Sequence, residues 1–131
     1  MTRTILITGA TDGIGRLTGR TLAAEGHTVL LHGRSADKLA AVARDMGGDP
    51  ETHLADFARL DEVAALAGAI LARHERLDVL INNAGLLERQ TLSDLDLDGI
   101  RRQFEINALG PLRVTKGLLG NLSKGSKVAI V

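Results

Sequence analysis

Residues 4–15 of the chain read TILITGATDGIG. The stretch begins with a short apolar run that does not alternate with polar residues, which is typical of a strand buried on both faces of a parallel sheet. A turn rich in glycine follows, and then the first residues of an amphipathic helix. Glycine suits this turn because it permits a tight bend and lets the helix pack close to the strand. The stretch therefore predicts the first strand, turn and helix of a parallel α/β sheet.

The start of this predicted helix is a candidate anion site. Its first N–H groups have no partner inside the helix and lie at the positive end of the helix dipole, so a dinucleotide pyrophosphate fits there. The spacing is Gly-x-x-x-Gly-x-Gly, which differs from the Gly-x-Gly-x-x-Gly fingerprint of dinucleotide sites. The turn alone is therefore a modest signal for a nucleotide.

Composition limits the class of protein. Apolar residues make up 44% of the 131 residues, and Lys+Arg equals Asp+Glu at 16 each, which is ordinary for one globular domain. The zero net charge offers no electrostatic attraction to nucleic acid or to an anionic membrane. No cysteine is present, which excludes thiolate metal sites and fits a reducing compartment. We expect a cytoplasmic protein without nucleic-acid or membrane partners.

Strand-like and helical segments alternate along the whole chain. Further strands are predicted at 28–32, 52–55, 78–81 and 127–131, and a bend is predicted near 107–111 in the last helix. Such alternation indicates right-handed βαβ units and an α/β, doubly wound, Rossmann-like parallel sheet of strand order 3-2-1-4-5. The glycine turn and the turn at 82–85 then meet at the switch point, where ligands bind in such sheets. The apolar face of the first helix is predicted to comprise Ile14, Leu17, Thr18, Thr21 and Leu22.

Arg34 stands at the carboxyl end of the second predicted strand. An acidic residue there would bind the adenosine ribose hydroxyls and favour NAD, whereas Arg offers a charged fork to a 2′-phosphate. A lone Arg in a surface turn is usually solvated, and this remains the alternative. The position favours NADP over NAD.

Other polar residues follow the third and fourth strands. Asp56 can accept a hydrogen bond from the adenine amine or can simply precede a helix. Asn82 and Asn83 can pair backbone groups where strands separate, and Gly85 lets the backbone pass close to a ligand. Asn107 lies in an apolar helical stretch and predicts a kink there, a role that is more often structural than catalytic.

The 4 histidines do not form a metal-ligand pattern, and we interpret them as structural or solvated. The acidic residues at 94, 96 and 98 are interpreted as a solvated loop that begins a helix. We expect no metal site.

Taken together, these features resemble the short-chain dehydrogenase/reductase family. They are TGATDGIG at 8–15, Asp56 with Phe57, NNAG at 82–85, and Asn107, and they occur in the family's order through the chain. The resemblance implies an NAD(P)-dependent oxidoreductase that interconverts small-molecule alcohols and carbonyls. It also implies a homo-oligomer.

The resemblance assigns roles to individual residues. Asn107 matches the family's active-site Asn, whose backbone carbonyl holds a water in the proton relay. The cofactor-binding positions implied are Gly9, Thr11, Asp12, Gly13, Ile14, Gly15, Arg34, Asp56, Phe57, Asn83, Ala84 and Gly85.

The sequence departs from the family in its catalytic part. The family uses a Ser after the fifth strand and a Tyr-x-x-x-Lys helix, but this sequence contains no Tyr and ends at Val131. We therefore expect residues 1–131 to be an NAD(P)-binding domain that is truncated after the fifth strand and inactive alone. An open fifth strand would favour self-association.

Alternative functions remain at this point. One is a non-enzymatic dinucleotide-binding or redox-sensing module, which would bind NADPH without catalysis. Another is a methyltransferase-type sheet, which usually carries an acidic residue where Arg34 stands and gives no reason for the NNAG turn.

Overall fold

The computed structural model describes residues 1–131. Its strands are Thr4–Ile7 (β1), Thr28–Gly33 (β2), Thr52–Leu54 (β3), Val79–Asn82 (β4) and Lys127–Ile130 (β5). Its α-helices are Gly13–Ala24 (α1), Ala36–Met46 (α2), Leu60–Arg73 (α3), Leu97–Phe104 (α4) and Gly110–Gly117 (α5). A π-helical turn covers Glu105–Leu109, and a 3₁₀ turn covers Leu119–Asn121.

The 5 strands form one sheet of order β3-β2-β1-β4-β5 in which every pair is parallel. In the central register, Leu6 lies opposite Leu30 on one side and Leu80 on the other. All three leucines are 0% exposed, because parallel strands in such a sheet are covered on both faces. The predicted fold class and strand order are confirmed.

Successive side chains of each strand point to opposite faces, which gives two cores. On one face, Leu6, Leu30 and Leu80 pack with buried residues of α3 and α5. On the other, Ile5 and Ile7 pack with their β2 neighbours against α2 and the partly buried end of α1. The two helical layers leave the carboxyl ends of the strands open.

The predicted apolar face of α1 is wrong for Ile14, Leu17 and Thr21, which are exposed, whereas Leu22 packs against the core as predicted. Ile14 and Leu17 are 68% and 66% exposed, whereas Gly15 and Gly19 are the buried residues of this helix. A Cβ added at Gly19 would lie 3.2 Å from Cδ2 of Leu31, so the helix backbone itself packs on the sheet. Gly15 and Gly19 form the contact with the sheet in the first part of α1, and Leu22 joins the core near its end.

The predicted bend in the last helix is present as the π-helical turn between α4 and α5. Pro111 follows Gly110 at the start of α5. Because the helical backbone continues from the π-helical turn into α5 without a break, the missing N–H of proline leaves a carbonyl of the preceding turn without its helical partner, which distorts the helix locally. The wider turn places Asn107 next to the segment that follows β4.

β5 pairs with β4 and with no other strand, so it is an edge of the sheet. Val128 and Ile130 are 45% and 64% exposed. The expectation of self-association through this edge stays a prediction. None of the helices combines the length and the apolar character needed to span a membrane.

Candidate functional site

A cleft of about 330 Å³ opens at the carboxyl ends of β1, β2 and β4. Most of the sequence-predicted binding residues line this cleft, whereas Ile14, Gly15 and Asn107 do not. The predicted residues that line it are Gly9, Thr11, Asp12, Gly13, Arg34, Asp56, Phe57, Asn83, Ala84 and Gly85.

Side chain to backbone hydrogen bonds join the turns after β1 and β4. Thr8 is 1% exposed, and its Oγ1 accepts hydrogen bonds from the backbone N–H groups of Asn83 and Ala84, each at 3.0 Å. In return, Nδ2 of Asn83 donates to the carbonyl oxygen of Gly9 at 3.0 Å. Asn83 thus pairs backbone groups where the strands separate, as its position predicts.

Two glycines allow these turns to approach closely. Gly9 has a φ of 64°, and a Cβ added there would lie 2.7 Å from Cα of Ala84. A Cβ added at Gly15 would overlap the carbonyl oxygen of Gly9 and lie 2.5 Å from Nδ2 of Asn83. Gly15 therefore lies beneath the turn and shapes the cleft from outside it.

The N-terminus of α1 has no side-chain partner for its first amides. Its N-cap residue, Asp12, makes no side-chain capping hydrogen bond, and its first turn contains no acidic residue. By contrast, α2, α3 and α4 each carry acidic residues in the first turn. Gly13 leaves open space beside these amides, since a Cβ added there would meet no atom within 4 Å. The arrangement suits an anionic ligand.

His32 forms part of the cleft wall, a role that the sequence did not indicate. It is 3% exposed, its Nδ1 accepts from the Gly9 N–H at 3.0 Å, and its Nε2 donates to the Ala55 carbonyl at 2.8 Å. Burial lowers the pKa of His32 to about 4, so the ring is neutral at pH 7. The histidine fixes the glycine turn against β2 and β3.

Phe57 stacks on the His32 ring with centroids 4.1 Å apart and is 5% exposed. Its ring is therefore occupied by the histidine, and a ligand at this wall would meet mainly backbone atoms of residue 57. The neighbouring Asp56 accepts a hydrogen bond from the Ala58 N–H at 2.9 Å. This Asp carboxylate caps the turn before α3 while it lines the cleft.

Positive side chains stand at the outer mouth of the cleft. Arg34 is exposed and has no carboxylate within ion-pair distance. Lys38, which the sequence analysis missed, also lines the cleft, and its Nζ lies 2.9 Å from Oδ2 of Asp12. Ser35 is the N-cap of α2, and its side chain accepts a hydrogen bond from the Lys38 N–H at 3.3 Å. The sequence could have indicated Lys38, because it lies one helical turn after Ser35 and therefore on the same side of the predicted helix.

Asn107 lies in the π-helical turn and contacts the segment after β4. Its Oδ1 accepts from the Leu86 N–H and its Nδ2 donates to the Leu86 carbonyl, both at 2.7 Å. The side chain therefore holds the backbone next to Gly85 at the rim of the cleft. Its backbone role in a proton relay stays a prediction.

A second polar cluster lies away from the cleft, beside β3. One carboxylate oxygen of Glu51 accepts a hydrogen bond from His53 Nε2 at 2.6 Å, and the other accepts a hydrogen bond from His74 Nε2 at 2.7 Å. Burial raises the pKa of Glu51, but the hydrogen bonds from both histidines outweigh this and hold it below its usual range. We refer to these three residues as the Glu51 cluster. Across the chain, the structure contains no group of three or more His, Cys, Asp or Glu side chains suited to a metal ion.

Comparisons with known proteins agree with this geometry. The family model of the short chain dehydrogenase matches residues 3–131. Dehydrogenase/reductase SDR family member 7B of Mus musculus is 37% identical over 97% of this chain and 42% of its own length. Retinol dehydrogenase 13 of Homo sapiens is 34% identical over 98% of this chain and 40% of its own length. The chain thus spans less than half the length of these curated relatives.

Solved structures show the same architecture. A short-chain dehydrogenase from Escherichia coli CFT073, complexed with NADPH, superposes with a TM-score of 0.84 and 34% identity, covering 91% of this chain and 52% of that one. The family model matches almost every residue, and the sheet order and the sequence motifs agree with it. The chain therefore belongs to the short-chain dehydrogenase/reductase family.

Proposed function

We propose that residues 1–131 are the NADP-binding part of an oxidoreductase that transfers hydride between the cofactor and a small-molecule alcohol or carbonyl. The observation that carries this proposal is the convergence of two features on one cleft. The uncapped N-terminus of α1 and the free guanidinium of Arg34 both face the space at the carboxyl ends of the central strands.

The residues present fit a dinucleotide. The pyrophosphate would lie over Gly13, where the α1 amides lack side-chain partners and no Cβ blocks their approach. Gly9 and Thr11 would pass beneath the adjoining ribose, and Ala84 and Gly85 would line the path toward the nicotinamide. When bound, the cofactor would donate or accept a hydride.

The preference for NADP rests on the mouth of the cleft. Arg34 would bind the 2′-phosphate, because a planar guanidinium without a carboxylate partner is free to form paired hydrogen bonds with phosphate oxygens. Asp56 and the backbone of Phe57 would hold adenine. Support comes from the related E. coli structure with NADPH and from a Shigella flexneri short-chain dehydrogenase complexed with NADP.

Catalysis would need groups that this sequence does not contain. The family's proton donor is a Tyr, and the sequence has no Tyr. We therefore propose that these 131 residues bind cofactor without turning over substrate alone. Asn107 would act as a positioning residue that fixes the rim of the cleft through Leu86. Assembly into a homo-oligomer and a cytoplasmic location stay predictions.

The decisive experiment is a calorimetric titration of the chain with NADPH and with NADH, repeated for Arg34→Ala. Losing a charge-assisted phosphate contact should cost about 1.5–3 kcal/mol, or roughly tenfold to a hundredfold in NADPH affinity, with NADH almost unaffected. Arg44→Ala in the last turn of α2 is the matched control, since it removes the same charge outside the cleft. Equal binding of the two nucleotides to wild type and Arg34→Ala alike would refute the 2′-phosphate assignment.

A further inference from the structure

We propose that Glu88 and Arg102 are positioning residues for the nicotinamide half of the cofactor. Their ion pair holds the segment 86–90, which follows the NNAG turn, against α4, and Leu86 of this segment lines the cleft. The inference rests on the proposed function, because it concerns the end of the same cleft that would receive the nicotinamide.

The segment 86–90 has no secondary structure of its own to hold it. None of its backbone N–H or carbonyl groups bonds to another backbone group. Asn107 instead bonds both backbone groups of Leu86, each at 2.7 Å. Gln103 Nε2 donates to the Glu88 carbonyl at 3.2 Å. The position of the segment therefore depends on side chains of the helical stretch beside it, and substitutions can remove these one at a time.

The Glu88 carboxylate adds a charged contact to the same stretch. Arg102 donates to one carboxylate oxygen from Nε at 3.0 Å and to the other from Nη2 at 3.4 Å. This two-point geometry fixes the orientation of the carboxylate as well as its distance. By contrast, the neighbouring Arg101 pairs with Asp98, where both side chains are at least 75% exposed, and makes no hydrogen bond to the segment 86–90.

Gly99 leaves the space in which the Glu88 carboxylate lies. It is the buried residue of α4, and a Cβ added there would lie 2.5 Å from Oε2 of Glu88 and 2.6 Å from Nε2 of Gln90. Side chains of the segment 86–90 therefore cover the helix backbone at this point. A larger residue at position 99 would push the carboxylate away from Arg102.

The wall that these contacts hold lies at one end of the cleft. Because β2 and β4 lie on opposite sides of β1, Arg34 after β2 and Leu86 after β4 line opposite ends. Under the proposed function, the adenosine lies at the Arg34 end and the nicotinamide at the Leu86 end. Glu88 and Arg102 do not line the cleft themselves, so they act through the backbone of Leu86. Loss of their ion pair should affect only the half of the cofactor beside this wall.

The test compares two ligands by calorimetric titration of the full chain. NADPH contains both halves of the cofactor, whereas adenosine 2′,5′-bisphosphate contains the adenosine half with its 2′-phosphate and no nicotinamide. The variants are Arg102→Gln and Glu88→Gln. Arg101→Gln is the matched control, because it removes the same charge one residue away without a contact to the segment 86–90. Circular dichroism verifies that each variant is folded.

We expect Arg102→Gln and Glu88→Gln each to weaken NADPH binding about threefold to fivefold, as one partly exposed ion pair allows. Binding of adenosine 2′,5′-bisphosphate should change by less than about 1.5-fold, because this ligand lies at the other end of the cleft. The fluorescence anisotropy of the bound nicotinamide should fall in both variants, since the ring gains freedom when the wall loosens.

Charge reversal tests whether the two residues act as a pair. Glu88→Arg and Arg102→Glu each place like charges side by side, and the doubly reversed variant restores an opposite pair. The double variant should therefore bind NADPH more tightly than either single reversal. If it binds no more tightly, charge pairing does not hold the wall and the inference is refuted.

Failure of this inference and failure of the proposed function give different results. If NADPH binds wild type and Arg102→Gln weakens it no more than Arg101→Gln does, the inference is refuted alone. If NADPH and adenosine 2′,5′-bisphosphate weaken equally, the ion pair supports the whole chain rather than the nicotinamide end, which also refutes the inference. If neither ligand binds wild type, the proposed function is wrong and the inference falls with it.

Discussion

His32 and His53 are register partners on neighbouring strands, yet the structure holds them in different ways. His32 is fixed between two neutral backbone groups, the Gly9 N–H and the Ala55 carbonyl. His53 instead faces the carboxylate of the Glu51 cluster. The cleft wall thus depends on close contacts and on a neutral ring, whereas the outer edge of the sheet depends on charge.

The cleft wall and the outer edge of the sheet should therefore tolerate different substitutions. The cleft wall has little spare space, because the glycine turn, His32 and the turn after β4 are bonded to one another. A change of shape or of protonation there disturbs several contacts together. The Glu51 cluster is joined by hydrogen bonds between side chains at one edge, so a change of charge there should have a smaller and more local effect.

The largest expected effect is that of adding a methyl group beneath the cleft. Gly15→Ala should destabilise the chain by more than about 4 kcal/mol, because its Cβ would overlap the Gly9 carbonyl, which cannot move without breaking the turn. Gly13→Ala is the matched control: its φ of 53° strains an alanine, but the space around it is open, so about 1–2 kcal/mol is expected. Urea unfolding measures both variants, and equal midpoints would contradict the close approach.

The second-largest expected effect is a loss of folding stability as the pH falls from 6.5 to about 4. The His32 pKa is 6.5 in the unfolded chain and about 4 in the folded one, so in this window the unfolded chain binds a proton that the folded chain does not. Folding stability is therefore full above pH 6.5 and should decline by about 3 kcal/mol as the pH approaches 4.

Unfolding curves at a series of pH values test this prediction. His32→Gln should be less stable at pH 7, since it loses the ring contacts, but its stability should change much less between pH 6.5 and 4.5. His27→Gln, which removes a histidine far from the cleft wall, is the control for the loss of an imidazole. An unchanged slope in His32→Gln would show that another group titrates.

The sheet was predictable from the sequence because strands and helices leave local patterns of apolar residues. Strand-like and helical segments alternate along the whole chain, and the doubly wound pattern that this alternation indicates predicted the strand order that the structure has. The NNAG turn and the bend at Asn107 were also located, since glycine, proline and mid-helix Asn limit the backbone locally. Ten of the predicted binding residues line one cleft for the same reason: the carboxyl ends of parallel strands converge.

What the sequence analysis missed depends on residues that are distant in the chain. The outward orientation of Ile14 and Leu17 follows from how closely α1 approaches the sheet, which glycine at 15 and 19 decides only once the strands beneath are placed. The pairing of Lys38 with Asp12 likewise depends on the angle between two helices. The spacing of apolar residues in the sequence does not indicate how closely α1 approaches the sheet or how α1 and α2 are oriented relative to each other.

The smallest expected effect lies at the outer edge. Glu51→Gln keeps the size of the side chain and removes the charge shared by His53 and His74, whose hydrogen bonds hold the pKa of Glu51 below its ordinary 4.5. With the Glu51 side chain 10% exposed, we expect a loss of about 1 kcal/mol at pH 7. A lowered carboxyl pKa stabilises the folded chain above pH 4.5, and this stabilisation is lost as the pH falls through the pKa that Glu51 has in the folded chain. The difference in folding stability between wild type and Glu51→Gln should therefore narrow below pH 4.5.

The control for this last substitution is Glu75→Gln, which removes an identical charge from an exposed residue without an ion pair and should change stability by less than about 0.5 kcal/mol. Thermal unfolding at pH 7 and at pH 3.5 compares the two variants. If Glu51→Gln reduced folding stability as little as Glu75→Gln does, the Glu51 charge would not stabilise the outer edge of the sheet.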